Sequence, residues 1–130
     1  MYIISKKITQ NALEHFNLPY SVKDWNVGHP NSHLTGGMTY QDGKLTVPTP
    51  GCYYIYAQLY YFNSGRVIVR VNGKRVTIVQ PPTSGRDQGV LHAGGVFILK
   101  TGDVITLTPD GSTPRVYMSP NHSYFGAFLI

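Results

Sequence analysis

The sequence has little charge, one cysteine and one glutamate, and each shortage excludes a class of protein. Charged residues make up only 13% of its 130 residues while glycine (14) and proline (9) are plentiful, which argues against a disordered chain and against a helical bundle. Cys52 is the only cysteine, so no disulfide can form within the chain. No run approaches the ~18 apolar residues of a membrane span, and the first residues have the wrong charge order for a secretory signal.

The positive charge is dispersed along the chain. Eleven Lys and Arg against six Asp and Glu give a net charge of +5, yet only Lys6-Lys7 and Lys74-Arg75 are adjacent in sequence. Without a basic stripe or a recognised motif, the sequence does not predict a protein that binds nucleic acid.

Catalytic and metal-binding patterns are also missing. No nucleophile elbow frames a serine, and the glycine-rich pieces lie in predicted turns rather than before helices, where a phosphate would bind. The chain has five histidines but no His-x-His pair of the kind that a metal-binding jelly roll uses. We therefore predict neither an enzyme, nor a cofactor, nor a metal site.

Turn signals recur along the whole chain and divide short β-rich runs. Many short strands at this spacing are typical of an antiparallel sandwich or barrel. Asn72-Gly73 stands between two alternating runs and predicts a two-residue type I′ hairpin turn. The predicted strands lie at 2–9, 44–48, 52–62, 66–71, 74–80, 89–99, 103–108, 115–118 and 123–130, and one helical turn is predicted at 10–16.

Three of these strands lack a polar face. In "GCYYIYAQLYYF" (51–62), both alternating sets of side chains are mainly aromatic or apolar. A strand of an antiparallel sheet normally packs one face on the core and exposes the other, polar face to water. "LHAGGVFIL" (91–99) and "SYFGAFLI" (123–130) repeat the pattern. A buried aromatic ring hides about 150–250 Å², so the second face would be as large as any apolar patch that a monomer tolerates. Self-association is therefore expected.

These three segments resemble the signature segments of the tumour necrosis factor (TNF) ligand domain. "GCYYIYAQ" matches G-x-Y-x-I-Y-[SA]-Q, "AGGVFILKTGD" matches G-G-V-x-x-L-x-x-G-D, and "SYFGAFLI" carries the C-terminal Y-F-G-A-F. Their order and spacing fit, and the resemblance covers the chain from about Trp25 to Ile130.

The resemblance implies a fold and an assembly. The fold would be an all-β, ten-strand, two-sheet antiparallel jelly-roll sandwich, as a single domain over residues 1–130, assembled as a homotrimer. One strand face would form the core of the protomer, with Tyr53, Ile55, Leu59, Phe97, Leu99, Phe125 and Leu129. The other face would form the trimer interface, with Tyr54, Tyr56, Gln58, His92, Val96, Tyr124 and Phe128.

The resemblance also implies a function. Family ligands cluster cell-surface receptors of the TNF receptor family, through grooves between protomers, and are secreted or shed from type II membrane precursors. Such a groove would be lined by loops near 9–20, 61–66, 71–75, 81–89 and 109–122. The candidate receptor contacts are Arg66, Lys74, Arg86, Arg115 and Tyr117, because arginine and tyrosine dominate interface hot spots. Asn121 begins an N-glycosylation acceptor triplet.

Two departures from the family pattern leave an alternative open. The loops near 61–66 and 81–89 hold no cysteine, whereas many family members join these loops by a disulfide, and the first strand lacks the usual A-H-[VL] opening. Complement-type globular heads share the fold and carry an Asn-Gly hairpin like Asn72-Gly73. The alternative function is thus a recognition module that binds carbohydrate, lipid or microbial surfaces.

Overall fold

The computed structural model describes residues 36–61, 66–80, 89–110 and 123–130, together with the backbone of four further strands. Every element in this part of the chain is a β-strand, which confirms the all-β prediction. The strands are β1 (Ile3–Ile8), β2 (His15–Asn17), β3 (Trp25–Asn26), β4 (Thr39–Gln41), β5 (Lys44–Thr46), β6 (Gly51–Tyr61), β7 (Arg66–Val71), β8 (Lys74–Val79), β9 (Gly89–Leu99), β10 (Val104–Asp110), β11 (Arg115–Tyr117) and β12 (Tyr124–Leu129).

The strands form two antiparallel sheets. The first has the order β2-β11-β6-β12-β1-β3, with β9 paired along the other edge of β6, and the second has the order β4-β5-β10-β7-β8. The chain crosses between the sheets after β3, β5, β6, β8, β9 and β10. The predicted two-sheet jelly roll is confirmed, with more short strands than the ten that the resemblance implied.

Both hairpins of the second sheet close on two-residue turns. Asn72 and Gly73 have φ angles of 51° and 82°, and Asp42 and Gly43 have 52° and 85°. Two positive φ angles define the type I′ turn, whose twist matches that of the flanking strands. The Asn72-Gly73 turn was predicted, whereas Thr39–Gln41 was not predicted as a strand.

The predicted helical turn at 10–16 is wrong where the structure describes it. His15 and Phe16 belong to β2, which pairs with β11, and residues 10–14 lie outside the described residues. The segment "NALEHF" contains good helix formers, but pairing with a strand about a hundred residues away overrides that local preference.

The core lies between the two sheets and is built from one face of β6. Tyr53, Ile55 and Leu59 are fully buried, as is Phe125 on β12. The Tyr53 hydroxyl donates a hydrogen bond to the Thr49 carbonyl at 2.7 Å, so its polar end is satisfied. The predicted core set is confirmed for these four residues and for Leu99, while Phe97 and Leu129 are half-buried and pack against the same cluster.

Hydrogen bonds join the β7–β8 turn to the β9–β10 turn. The Asn72 side-chain amide donates to Asp103 Oδ1 at 2.9 Å, and Asn72 Oδ1 accepts from the Val104 amide at 2.9 Å. The Lys100 amide donates to Asp103 Oδ2 at 2.8 Å. The Lys100 amide first, and then the Asn72 amide, lower the pKa of Asp103, because both bonds favour the carboxylate form. This junction fixes the end of β9.

Candidate functional site

The candidate site is the outer face of the first sheet, on β9, β6 and β12. Strand β6 lies between the other two, and the registers align their outward side chains in rows. No outward position on these three strands is Asp, Glu, Lys or Arg, and we call this surface the uncharged face. From one end to the other its rows are Ile130–Cys52–Ile98, Phe128–Tyr54–Val96, Gly126–Tyr56–Gly94, Tyr124–Gln58–His92 and Tyr60–Val90.

Tyr56 is the centre of a cluster of rings on this face. Its ring is 6.2 Å from that of Tyr54 and stacked at 22°, and 6.4 Å from that of His92 at 10°. Tyr124 meets Tyr56 edge-on at 6.2 Å and 67°, and Phe128 lies at 6.4 Å. Offset-stacked and edge-on contacts are the favoured arrangements of aromatic pairs. The cluster is therefore an ordered surface within one protomer.

Glycine is required at position 94 because Tyr54 lies across it. A Cβ atom built on Gly94 would overlap the Tyr54 hydroxyl and lie 2.6 Å from Tyr54 Cζ. It would also lie 3.2 Å from the Ile55 carbonyl oxygen, which belongs to the backbone and cannot swing away. The absence of a side chain at this position thus lets the Tyr54 ring lie flat over β9.

Polar atoms on or beside the face have partners. The Tyr124 hydroxyl donates to Gln58 Oε1 at 3.0 Å. The Tyr60 amide donates to the hydroxyl of Ser123 at 3.2 Å, and Ser123 is fully buried. Because hydrogen-bonded polar groups cost less to remove from water, these particular groups can be covered at little penalty.

The large hydrophobic side chains that are exposed among the described residues all lie on the uncharged face. They are Val90, Val96, Ile98 and Ile130, with exposed fractions of 45%, 56%, 84% and 67%. A contiguous apolar patch on a folded protomer marks an interaction site. The predicted interface set omitted Val90, Ile98 and Ile130, although the alternation of residues along each strand already placed them on this face.

A cleft of about 360 Å³ opens where the uncharged face reaches the Asn72–Asp103 junction. It lies between the ends of β8 and β9, and Ile98 belongs to both the cleft and the face. Its walls are otherwise mainly apolar, with Lys74 among its lining residues. The cleft therefore extends the face rather than forming a separate site.

The structure brings together all seven residues predicted for the trimer interface. Tyr54, Tyr56, Gln58, Tyr124 and Phe128 are half-buried within one protomer, and His92 and Val96 are exposed. Their role in assembly stays a prediction, because the structure contains one copy of the chain.

The candidate receptor contacts are not brought together in the same way. Arg66 begins β7 and Lys74 begins β8, and these positions lie at opposite ends of the β7–β8 hairpin, about 17 Å apart at the usual rise of a strand. Arg115 and Tyr117 lie on β11, beside the end of β6 that leads towards Arg66. Lys74 is thus distant from the other described candidates. Arg86 and Asn121 lie outside the described residues.

Neither a membrane-spanning helix nor a metal cluster is found in the described part of the chain. No helix there is long and apolar enough to cross a membrane. No three His, Cys, Asp or Glu residues there are grouped so that they could hold a metal ion.

The strand order defines the chain as a jelly-roll domain, and comparison with known sequences shows which proteins it is similar to. The sequence model of the TNF (Tumour Necrosis Factor) family matches residues 23–79. Lymphotoxin-alpha of Sus scrofa is 26% identical over 128 residues, covering 82% of this chain, and CD40 ligand of Gallus gallus is 28% identical over 116 residues, covering 78%. The chain spans 62% and 41%, respectively, of the lengths of these two relatives.

Solved structures of TNF-family ligands share the fold. Murine APRIL at pH 5.0 superposes with a TM-score of 0.76 at 17% identity, covering 99% of this chain and 98% of that one. Eiger TNF from S. frugiperda superposes with a TM-score of 0.74 at 15% identity, covering 100% and 94%. The resemblance predicted from the three segments is confirmed: the chain is similar to TNF-family ligands in sequence and in fold.

Proposed function

We propose that this domain is a ligand of the TNF family, a homotrimeric cytokine that binds and clusters receptors of the TNF receptor family. The observation that carries the proposal is the uncharged face, which collects the exposed large hydrophobic side chains of the described residues on one surface. In a trimer this face is covered by neighbouring copies. The two apolar faces of β6 then serve two separate purposes, the core of the protomer and the assembly of three protomers.

The proposed mechanism is geometric and involves no catalysis. A closed three-fold assembly repeats every groove between neighbouring protomers three times. Three receptors held by one ligand are brought close together, and multivalent contact with a cell surface raises the apparent affinity without any new contact. Arg66, Arg115 and Tyr117, at one end of the sandwich, are the favoured receptor contacts, and Lys74 would belong to a separate region of contact.

The domain is proposed to act outside the cell, either secreted or shed from a type II membrane precursor. Its partners are other copies of itself and a cysteine-rich receptor ectodomain. The support is the sequence similarity to lymphotoxin-alpha and CD40 ligand. Asn121 remains the candidate glycosylation position.

The assembly is tested by light scattering of the purified domain. At micromolar concentration the expected mass is about three times the 14.4 kDa of one chain. A monomer under these conditions contradicts the proposal, because the uncharged face would then be exposed to water.

The receptor function is tested by screening the trimer against cysteine-rich ectodomains of the TNF receptor family. Binding to at least one ectodomain, with three sites on each trimer, is the expected result. Binding to glycans or lipid vesicles, with no receptor bound, would instead support the recognition module of the complement-head type.

A further inference from the structure

His92 is the only histidine among the outward positions of β6, β9 and β12. The outward positions of β6, β9 and β12 otherwise hold tyrosine, phenylalanine, aliphatic residues, glycine, Gln58 and Cys52. Histidine is the side chain that ordinarily titrates between pH 5 and 8. Any change in assembly over that range that arises on these three strands must therefore involve His92.

The position of His92 is within the ring cluster. The residue is exposed in the protomer, pairs in register with Gln58, and stacks on Tyr56. Gln58 in turn accepts the hydrogen bond of Tyr124. A neighbouring protomer that covers Tyr56 and Tyr124 also removes the adjacent imidazole from water.

No charged residue on the elements packed against β9 faces His92. On β8, Lys74 lies in the cleft with Ile98, six residues along β9 from His92, or about 20 Å. Arg75, the other charged residue of β8, is next to Lys74 at the start of that strand. On β6 and β12 the nearest titratable groups are tyrosines. Lys7 pairs in register with Tyr124 on the far side of β12, and His15 pairs with Tyr117 on the far side of β11. No described carboxylate is therefore placed to neutralise an imidazolium at position 92.

We infer that protonation of His92 dissociates the trimer, so that the ligand loses its assembled form in mildly acidic surroundings. This inference rests on the proposed trimer. Burial disfavours the charged form of an ionisable group, and three protonated copies would add three like charges to an interface that otherwise has none. The trimer then binds fewer protons than three separate protomers do, so acid shifts the equilibrium toward protomers.

The experiment measures the mass of the purified domain against concentration at pH 7.5 and pH 5.5. The trimer should persist at pH 7.5, and the concentration at which half of it dissociates should rise at least about tenfold at pH 5.5, since each unit of differential proton affinity is a factor of ten. Near-UV circular dichroism checks that the protomers stay folded in acid. For His92→Gln, which keeps a polar side chain without the imidazole ring, the concentration of half-dissociation should be the same at both pH values. For His15→Gln it should rise in acid as it does for the wild type.

The outcomes distinguish the proposed trimeric assembly from its proposed dissociation by protonation of His92. A protein that is not trimeric at pH 7.5 contradicts both this inference and the proposed assembly. A wild-type trimer equally stable at both pH values overturns the inference alone, as does acid dissociation that persists unchanged in His92→Gln.

Discussion

Replacing Tyr56 by Asp should dissociate the trimer while each protomer stays folded. The Tyr56 side chain is only half-buried in the protomer, so a carboxylate at that position can remain hydrated when the protomers are separate. In the trimer the same carboxylate would be desolvated among the rings of Tyr54, Tyr124 and Phe128. An unpaired charge left in such a contact costs about 3–5 kcal/mol, and three copies cost about 9–15 kcal/mol.

A penalty of that size exceeds a millionfold change in the association constant, because about 1.4 kcal/mol corresponds to a factor of ten. Light scattering should therefore report protomers for Tyr56→Asp at micromolar concentration and trimers for the control Tyr56→Phe, which keeps the ring. Ile55→Asp, one residue away but fully buried, should instead unfold the protomer and lose its near-UV circular dichroism. If Tyr56→Asp remains a trimer, the uncharged face is not the interface and the assignment of faces is wrong.

Three further predictions address the glycine, the turn junction and the receptor contacts. Gly94→Ala should destabilise the folded protein by about 1–3 kcal/mol, as overpacking does, because the new Cβ atom meets Tyr54. Thermal denaturation should show a smaller loss of stability when the same change is made in a Tyr54→Ala background. Equal losses of stability in the two backgrounds would contradict the contact. The pKa of Asp103 is lowered in the folded protein, so its contribution to stability is present above the pKa of the unfolded carboxyl and is lost as the pH falls through the folded value. The difference in unfolding free energy between wild type and Asp103→Asn should therefore shrink below about pH 4. A difference that grows in acid would contradict the lowered pKa. Lys74→Glu should leave mass and melting temperature nearly unchanged, because Lys74 is exposed and exposed charges contribute little to stability. Arg115→Glu should weaken receptor binding more than Lys74→Glu does, and the reverse order in a binding titration would contradict the region assigned to the receptor.

Alternation along single strands was the most informative feature of the sequence. The two-residue period of β6 separated Tyr53, Ile55 and Leu59, which are buried, from Tyr54 and Tyr56, which face outward. That separation needs no knowledge of the other strands, because a strand directs successive side chains to opposite faces. Alternation thus separated the two faces, and the resemblance to TNF ligands assigned one to the core and the other to the interface.

Pairing between distant parts of the chain could not be predicted in the same way. Strand β2 is only three residues long and pairs with β11, and its own sequence favours a helix. The Asp42-Gly43 turn was visible, but Thr39–Gln41 is too short to show an alternating pattern. Lys74 was grouped with Arg66 because both lie in predicted loops or strand ends, although the predicted Asn72-Gly73 hairpin already implies that they are far apart, as the register confirms.

The proposed double use of β6, in the core and in the trimer, has a consequence for inheritance. A damaging substitution at an inward position such as Ile55 prevents the chain from folding, so the chain does not assemble with other copies. A second, normal gene would then still supply intact ligand. A mild substitution at an outward position such as Tyr56 leaves a folded chain that can still enter mixed trimers. Most trimers in a cell with both versions would then contain at least one faulty member. Along this one strand, substitutions at inward positions are thus expected to be recessive and substitutions at outward positions dominant.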